Sequence, residues 1–230
     1  NFERALTCTS DKERQELLNV VIVGGGATGV EIAGALSEMK NFVIPKDYPD
    51  LSNSLMNIYL IESQPRLLAA MSEKSSASVL KYLRTMGVNV LLNKLVTDYK
   101  DNTVYMNDGS TIATRTFIWV TGVTAQKIDK MPTESIGRGG RFLVNEFNQV
   151  QGMKDVYSIG DQCLMPNVDP NWQNGHPQLA QVAIQQGALL AKNLKRLDKG
   201  EDMKPYRYKN LGTMATVGRN KAVAEFAGKK

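Results

Sequence analysis

The sequence predicts an α/β fold: a parallel sheet with helices against it, an antiparallel β-meander, and then a second, more loop-rich domain. Three observations predict it. Apolar runs at "NVVIV", "NIYLIES" and "VNVLL" alternate with stretches of helical spacing, giving the order β-α-β-α-β that requires a parallel sheet. The first run passes into the first long helix through a glycine turn, "VVIVGGGATGVEIAG", from Val20 to Gly34. Beyond the third run, Asp101-Asn102 and Asn107-Asp108-Gly109 cut the chain into short strands, as turn residues do in a meander.

Residues 1–18 read as a linker helix, with Ser10 and Glu13 at capping-box spacing before "KERQELL". Residues 19–124 read as a Rossmann-like nucleotide-binding domain. Within it, "ATGVEIAGALSEMK" carries small and apolar residues on one helical face, and 41–54, with two prolines and no period, reads as a long irregular insertion. "SEKSSASVLKYLRTMG" is a helix closed by Gly87, and "TFIWVTG" is the last strand. Near Thr124 the character changes. Residues 125–230 are loop-rich, run through a short apolar strand into Gly160-Asp161, cross a Pro/Asn loop from Leu164 to Pro177, and form a long helix between Pro177 and Gly200. "NLGTMATVGRNKAVAEF" reads as a Gly-punctuated strand pair. Trp119 reads as a core residue and Trp172 as a loop anchor.

Composition narrows the function classes. There are 28 Lys and Arg against 23 Asp and Glu, scattered except for Lys229 and Lys230, so a solvated surface is expected rather than a nucleic-acid face. No apolar run reaches the ~18 to 20 residues of a membrane span. Cys8 and Cys163 form no CxxC and lack neighbours at metal-ligand spacing, which argues against disulfide exchange and against a metal site. His176 is the sole histidine, leaving little from which to build a hydrolase or a flavin-independent dehydrogenase.

Gly24, Gly26 and Gly29 fit G-x-G-x-x-G, with Ala33 one helical turn on. The first permits the tight turn, the second clears the path of a pyrophosphate, and the third lets helix and strand approach, while the helix start offers N–H groups to phosphate. Glu62 ends the next strand, where its carboxylate can accept a ribose 2′-hydroxyl and repel a 2′-phosphate. NAD is therefore expected over NADP, with Arg66 the cation that would argue otherwise.

The strings "GGGATGVEIAG", "IWVTGV", "VYSIGDQC", "AQVAIQQG" and "GTMATVGRNKAVAEF", in this order, closely resemble the type II NADH dehydrogenases, single-subunit flavin NADH:quinone oxidoreductases of respiratory membranes. The resemblance implies that 19–124 bind NADH and that 125–230 are the C-terminal part of an FAD-binding domain, with the FAD site incomplete in this chain. It further implies a fragment lacking the family's first glycine motif and its membrane segment. Gly160 and Asp161 match the second flavin signature, and Ala180 and Gln181 match the helix start that faces the flavin. Gln181 and Gln185 match the family's AQxxxQ beside flavin and quinone, and their i, i+4 spacing puts them on one face. Glu31 matches a carboxylate that faces nicotinamide and flavin. Thr121 and Gly122 end the last strand where a cofactor passes close. Glu31, Gln181 and Gln185 are thus the expected catalytic residues, and the strand pair is expected on the quinone side of the flavin domain. The partners implied are NADH and a membrane quinone. The full-length protein would sit peripherally on the cytoplasmic face of the inner membrane, while the fragment would be soluble and, with an apolar face bared, either a homodimer or partly disordered in its second half. The alternative reading is an NAD-binding or sensing module without flavin chemistry.

Overall fold

The computed structural model describes residues 1–51 and 55–226, so part of the 41–54 insertion and the terminal lysines lie outside the described residues. Two compact units divide the chain: 1–121 with 212–230, and 122–211.

The first unit begins with α1 (Phe2–Thr7) and α2 (Asp11–Leu18); the Ser10 side chain accepts from the Glu13 N–H at the start of α2. Leu17 and Leu18 are buried, so these helices belong to this unit's core and do not merely link. β1 (Asn19–Val23) follows, then α3 (Ala27–Glu38), β2 (Asn57–Glu62), α5 (Glu73–Thr85) and β3 (Val88–Leu92), with α4 (Ile44–Asp47) between α3 and β2. After the meander of β4 (Val96–Lys100), β5 (Thr103–Met106) and β6 (Thr111–Ala113), β7 (Thr116–Trp119) returns to the parallel sheet, whose order is β3-β2-β1-β7. β1 is central and buried throughout. Its alternation feeds two cores: Val20 and Ile22 pack with Val30, Val79 and Leu83, and Val21 and Val23 pack with Val96, Val104 and Met106 of the meander.

The expected irregular insertion is instead helical in its first part. Residues Met39–Val43 form a π turn that leads directly into α4. Pro45 has no N–H to continue the helical ladder, and the register widens in the turn before it.

The first unit is completed from the far end of the chain by an antiparallel hairpin of β10 (Thr213–Val217) and β11 (Lys221–Glu225). Ala215, Val217 and Val223 join the same core as Val20. Gly34 of α3 lies so close to the hairpin turn that a Cβ would sit 2.5 Å from the Gly218 nitrogen. The chain thus divides differently from the expected 1–18, 19–124 and 125–230: the strand pair packs on the glycine-turn helix of the first unit.

The second unit is built around a two-residue parallel pair, β8 (Phe142–Leu143) with β9 (Cys163–Leu164), and the long α6 (Ala180–Leu197). Phe142, Val144, Val150, Cys163, Met165 and Tyr206 form its core. The strand expected before Gly160 is reduced to one bridge, Gln149 with Tyr157, made by the Val150 N–H to the Val156 carbonyl at 2.8 Å and the Ser158 N–H to the Asn148 carbonyl at 2.9 Å. Among the described residues no helix is long and apolar enough to cross a membrane, and no cluster of three or more His, Cys, Asp or Glu could hold a metal.

Candidate functional site

In the first unit the site is the junction of β1 and α3. Gly24, at φ +117°, donates its N–H to the Ile61 carbonyl at 2.8 Å and carries the β1–β2 pairing into the turn. A Cβ on Gly29 would fall 1.8 Å from the Gly24 carbonyl oxygen, so helix and turn touch backbone to backbone. Gly26 differs. It caps α3 with ordinary φ of −72°, and a Cβ there would meet nothing within 4 Å. The fold does not require that glycine, whereas a phosphate approaching the backbone does.

Glu62 closes over the same turn. Its Oε2 accepts from the Gly25 N–H at 2.6 Å, and Oε1 accepts from the Gln64 N–H at 2.7 Å and the Ser63 hydroxyl at 3.1 Å. Gly25, outside the motif spacing, is therefore part of the site: a Cβ there would collide with the Glu62 and Leu67 side chains. Arg66 donates to the carbonyls of Met71 at 2.6 Å and Ala69 at 2.7 Å, which commits its guanidinium to the backbone. An open cleft of about 120 Å³ lies at the carboxyl ends of β1, β2 and β7, where ligands bind in open α/β sheets. Gly24, Glu62, Lys94, Trp119 and Thr121 are among its walls. Trp119, expected in the core, is 55% exposed, and its Nε1 donates to the Thr121 carbonyl at 2.9 Å. It lies on the terminal residue of β7, where the sheet ends at the cleft.

Glu31 is exposed on α3, and its Oε1 accepts from the Thr216 N–H at 3.3 Å, which ties α3 to β10. The structure brings Gly24, Glu62 and Thr121 together on the cleft, with Gly26 and Gly29 on the adjoining turn. Gly122, at φ +73°, is the first residue of the second unit, with open space at its Cβ position.

In the second unit Gly160 and Asp161 open a short 3-10 turn. Gly160 adopts φ +65°, and a Cβ on it would sit 3.0 Å from that of Ala183, so the turn rests on the first coil of α6. The Asp161 side chain is exposed, and its carbonyl accepts from Gln178 at 3.2 Å. Ala180 is the first residue of α6, which no side chain caps. A glycine turn in contact with a helix, an exposed carboxylate that accepts and an uncapped helix start whose N–H groups donate could hold a cofactor that carries both hydroxyl donors and carbonyl acceptors.

Gln181 and Gln185 share a face as their spacing requires, and both bond an extended segment of the same unit. Gln181 accepts from the Leu211 N–H at 3.0 Å, while Gln185 donates to the Lys209 carbonyl at 2.8 Å and accepts from its N–H at 3.0 Å. Two polar residues the sequence reading passed over hold the turn. Gln186, 1% exposed, accepts from the Gly160 N–H at 2.7 Å. Arg141, also buried, donates to the carbonyls of Cys163 at 2.8 Å and His176 at 3.4 Å. The spacing of Val182, Gln186 and Asn193, which marks the buried face of α6, is the signal that points to Gln186. Burial pushes the Cys163 thiol up, so it is an inert core residue. His176, 3% exposed, stands edge-on to Tyr206 and Tyr208 with Asp169 at 3.8 Å; burial lowers its pKa and Asp169 opposes that. A cavity of about 730 Å³ is lined by Leu143, Gln149, Met153 and Val168 among others, and by none of the residues singled out in the sequence.

Residues 2–187 match the family model described as pyridine nucleotide-disulphide oxidoreductase. Over 99% of its length the chain is 34% identical to the type II NADH:quinone oxidoreductase NdhA of Mycobacterium tuberculosis, of which it covers 50%. It is 31% identical over 98% of its length to the type II NADH:quinone oxidoreductase of Haemophilus influenzae, covering 52%. In three dimensions 99% of the chain superposes on 62% of the NDH2 structure from Plasmodium falciparum in complex with NADH, with a TM-score of 0.87 and 17% identity. The chain spans about half the length of the curated relatives it matches.

Proposed function

Because the chain belongs to the pyridine nucleotide-disulphide oxidoreductase family, we propose that it is the NADH-binding part of an FAD-dependent NADH:quinone oxidoreductase. The glycine turn carries this reading: Gly29 cannot be anything else, Gly26 is glycine with no reason inside the protein, and Glu62 bonds the turn through the Gly25 N–H. The likeness along the whole chain to enzymes named NADH:quinone oxidoreductases supports the electron acceptor.

The division of labour follows from the residues. The backbone at 24–29 and the start of α3 take the pyrophosphate, and Glu62 takes a ribose hydroxyl by exchanging one of its three present donors or adding a fourth. Thr121 and Gly122 border the path of the dinucleotide along the end of the sheet. In the second unit Gly160, Asp161 and the Ala180–Gln181 helix start would hold FAD, which supplies two-electron chemistry when bound. Gln186 fixes the turn that would carry it, and Gln181 and Gln185 set the position of 209–211. In the first unit Glu31 remains the side chain we assign to positioning the nicotinamide or relaying a proton to reduced quinone; in the second, Gln181 and Gln185 are those we assign beside flavin and quinone. For the full-length protein the same reading gives a peripheral position on the cytoplasmic face of the inner membrane, and for this chain, with an apolar face bared, a homodimer.

The deciding experiment is the visible absorbance of the purified chain after incubation with FAD and gel filtration, followed by NADH. NADH binding with no flavin retained is the result expected of a chain whose FAD site is incomplete and upholds the NADH-binding part. Retained flavin that NADH bleaches shows that the chain completes a flavin site by itself or by pairing and overturns that incompleteness, and failure to bind NADH removes the reading.

A further inference from the structure

Among the described residues lining the cleft at the ends of β1, β2 and β7 there is one cation, Lys94, and the structure holds it in check. Asn93, at φ +57°, turns the chain after β3. Its N–H donates to the Gln64 carbonyl at 3.2 Å and that of Lys94 to the Glu62 carbonyl at 3.1 Å, which fastens Lys94 to the segment that carries Glu62. The ammonium is paired with Asp108. Asp108 is fixed in turn: its Oδ1 accepts from the Ser110 hydroxyl at 2.6 Å and N–H at 3.2 Å. Asn107 and Leu95 exchange two bonds, at 2.9 and 3.1 Å, that bind the two loops together. The side chains of Lys94 and Asp108 are 32% and 39% exposed, open to a ligand from solvent.

Resting on the dinucleotide reading of the glycine turn, we propose that Asp108 is a specificity-determining residue: by neutralising Lys94 beside Glu62 it closes the cleft to a 2′-phosphorylated dinucleotide. The charges explain how. Lys94 and Asp108 sum to zero, so the Glu62 carboxylate sets the local sign, favouring a ribose hydroxyl that donates and opposing a phosphate dianion. Arg66 cannot redress this with both of its bonded nitrogens on carbonyls. Replacing Asp108 by Asn retains an acceptor for Ser110 and removes the charge, leaving Lys94 as a ready phosphate ligand.

The test measures dissociation constants of NADH and NADPH by calorimetry on the full chain and on D108N, D108S, E62Q/D108N and D108N/K94M. The wild type should favour NADH. D108N should narrow the NADH-to-NADPH affinity ratio by about tenfold, the scale of one charge-assisted hydrogen bond, and D108S should move it the same way. E62Q/D108N should narrow it further, high salt should weaken the effect, and D108N/K94M should abolish it. An unchanged ratio in both Asp108 variants, or a narrowing that survives loss of Lys94, overturns the proposal while NADH binding still upholds the dinucleotide reading. A wild-type chain that binds neither dinucleotide overturns both.

Discussion

Gly26 and Gly29 are three residues apart in one turn and have opposite reasons to be glycine. At Gly29 the reason is internal, a Cβ 1.8 Å from a carbonyl oxygen; at Gly26 there is open space. Gly29→Ala is therefore expected to lower the melting temperature sharply, in the severe tail of point substitutions above about 4 kcal/mol. Gly26→Ala should melt within about 1 kcal/mol of the parent yet bind NADH at least about tenfold more weakly, a loss of roughly 1.4 kcal/mol. Calorimetry beside thermal melts separates the two, and unaltered NADH binding by Gly26→Ala would reduce that open space to plain solvent. His176 makes a second prediction. Burial lowers its pKa, so the unfolded chain takes up the proton first; the stabilisation is complete above the ordinary value of about 6.5 and is lost as pH falls below it. The melting temperature should drop between pH 7 and pH 5, and drop less in His176→Phe. Equal slopes would clear His176 of the effect.

Elements were legible where their cause is local. Apolar runs, Ser72 accepting from the Ser75 N–H at the start of α5 and Gly87 at φ +87° after its end are written in short windows, and so are Gly24, Gly26, Gly29 and Glu62. The helical turns at 39–47 were not, because two prolines within 41–54 mask a helix that needs only one of them near its start. Nor were Gly25, Lys94, Arg141 and Gln186, whose meaning depends on partners far along the chain: Gln186 is one more glutamine on a helix until Gly160 is placed against it. That contact carries a prediction for the turn. Gln186→Leu fills the same space but strands the Gly160 N–H, at a cost of about 1–3 kcal/mol. Amide exchange at Gly160 should quicken, and unchanged protection there would show that another acceptor had taken its place.

At the scale of the molecule the first unit is assembled from two distant stretches, 1–121 and 212–226, with the whole of the second unit between them. Ala215, Val217 and Val223 complete the core behind β1, and Ser72 and Ser75 both bond Glu225 of β11. Truncation after Leu211 should therefore weaken the first unit, seen as faster amide exchange in β1 and α3 and weaker NADH binding, while α6 keeps its protection. Loss of protection confined to α6 would contradict this. The discontinuity also sets a schedule for synthesis. On the ribosome the glycine turn emerges early, but its supporting hairpin is translated only after the intervening unit, a delay on the order of ten seconds at elongation rates of ~5–20 residues per second. Until then the nascent first unit has an unfinished core, and the intervening unit has the opportunity to fold before the one that encloses it in sequence is complete.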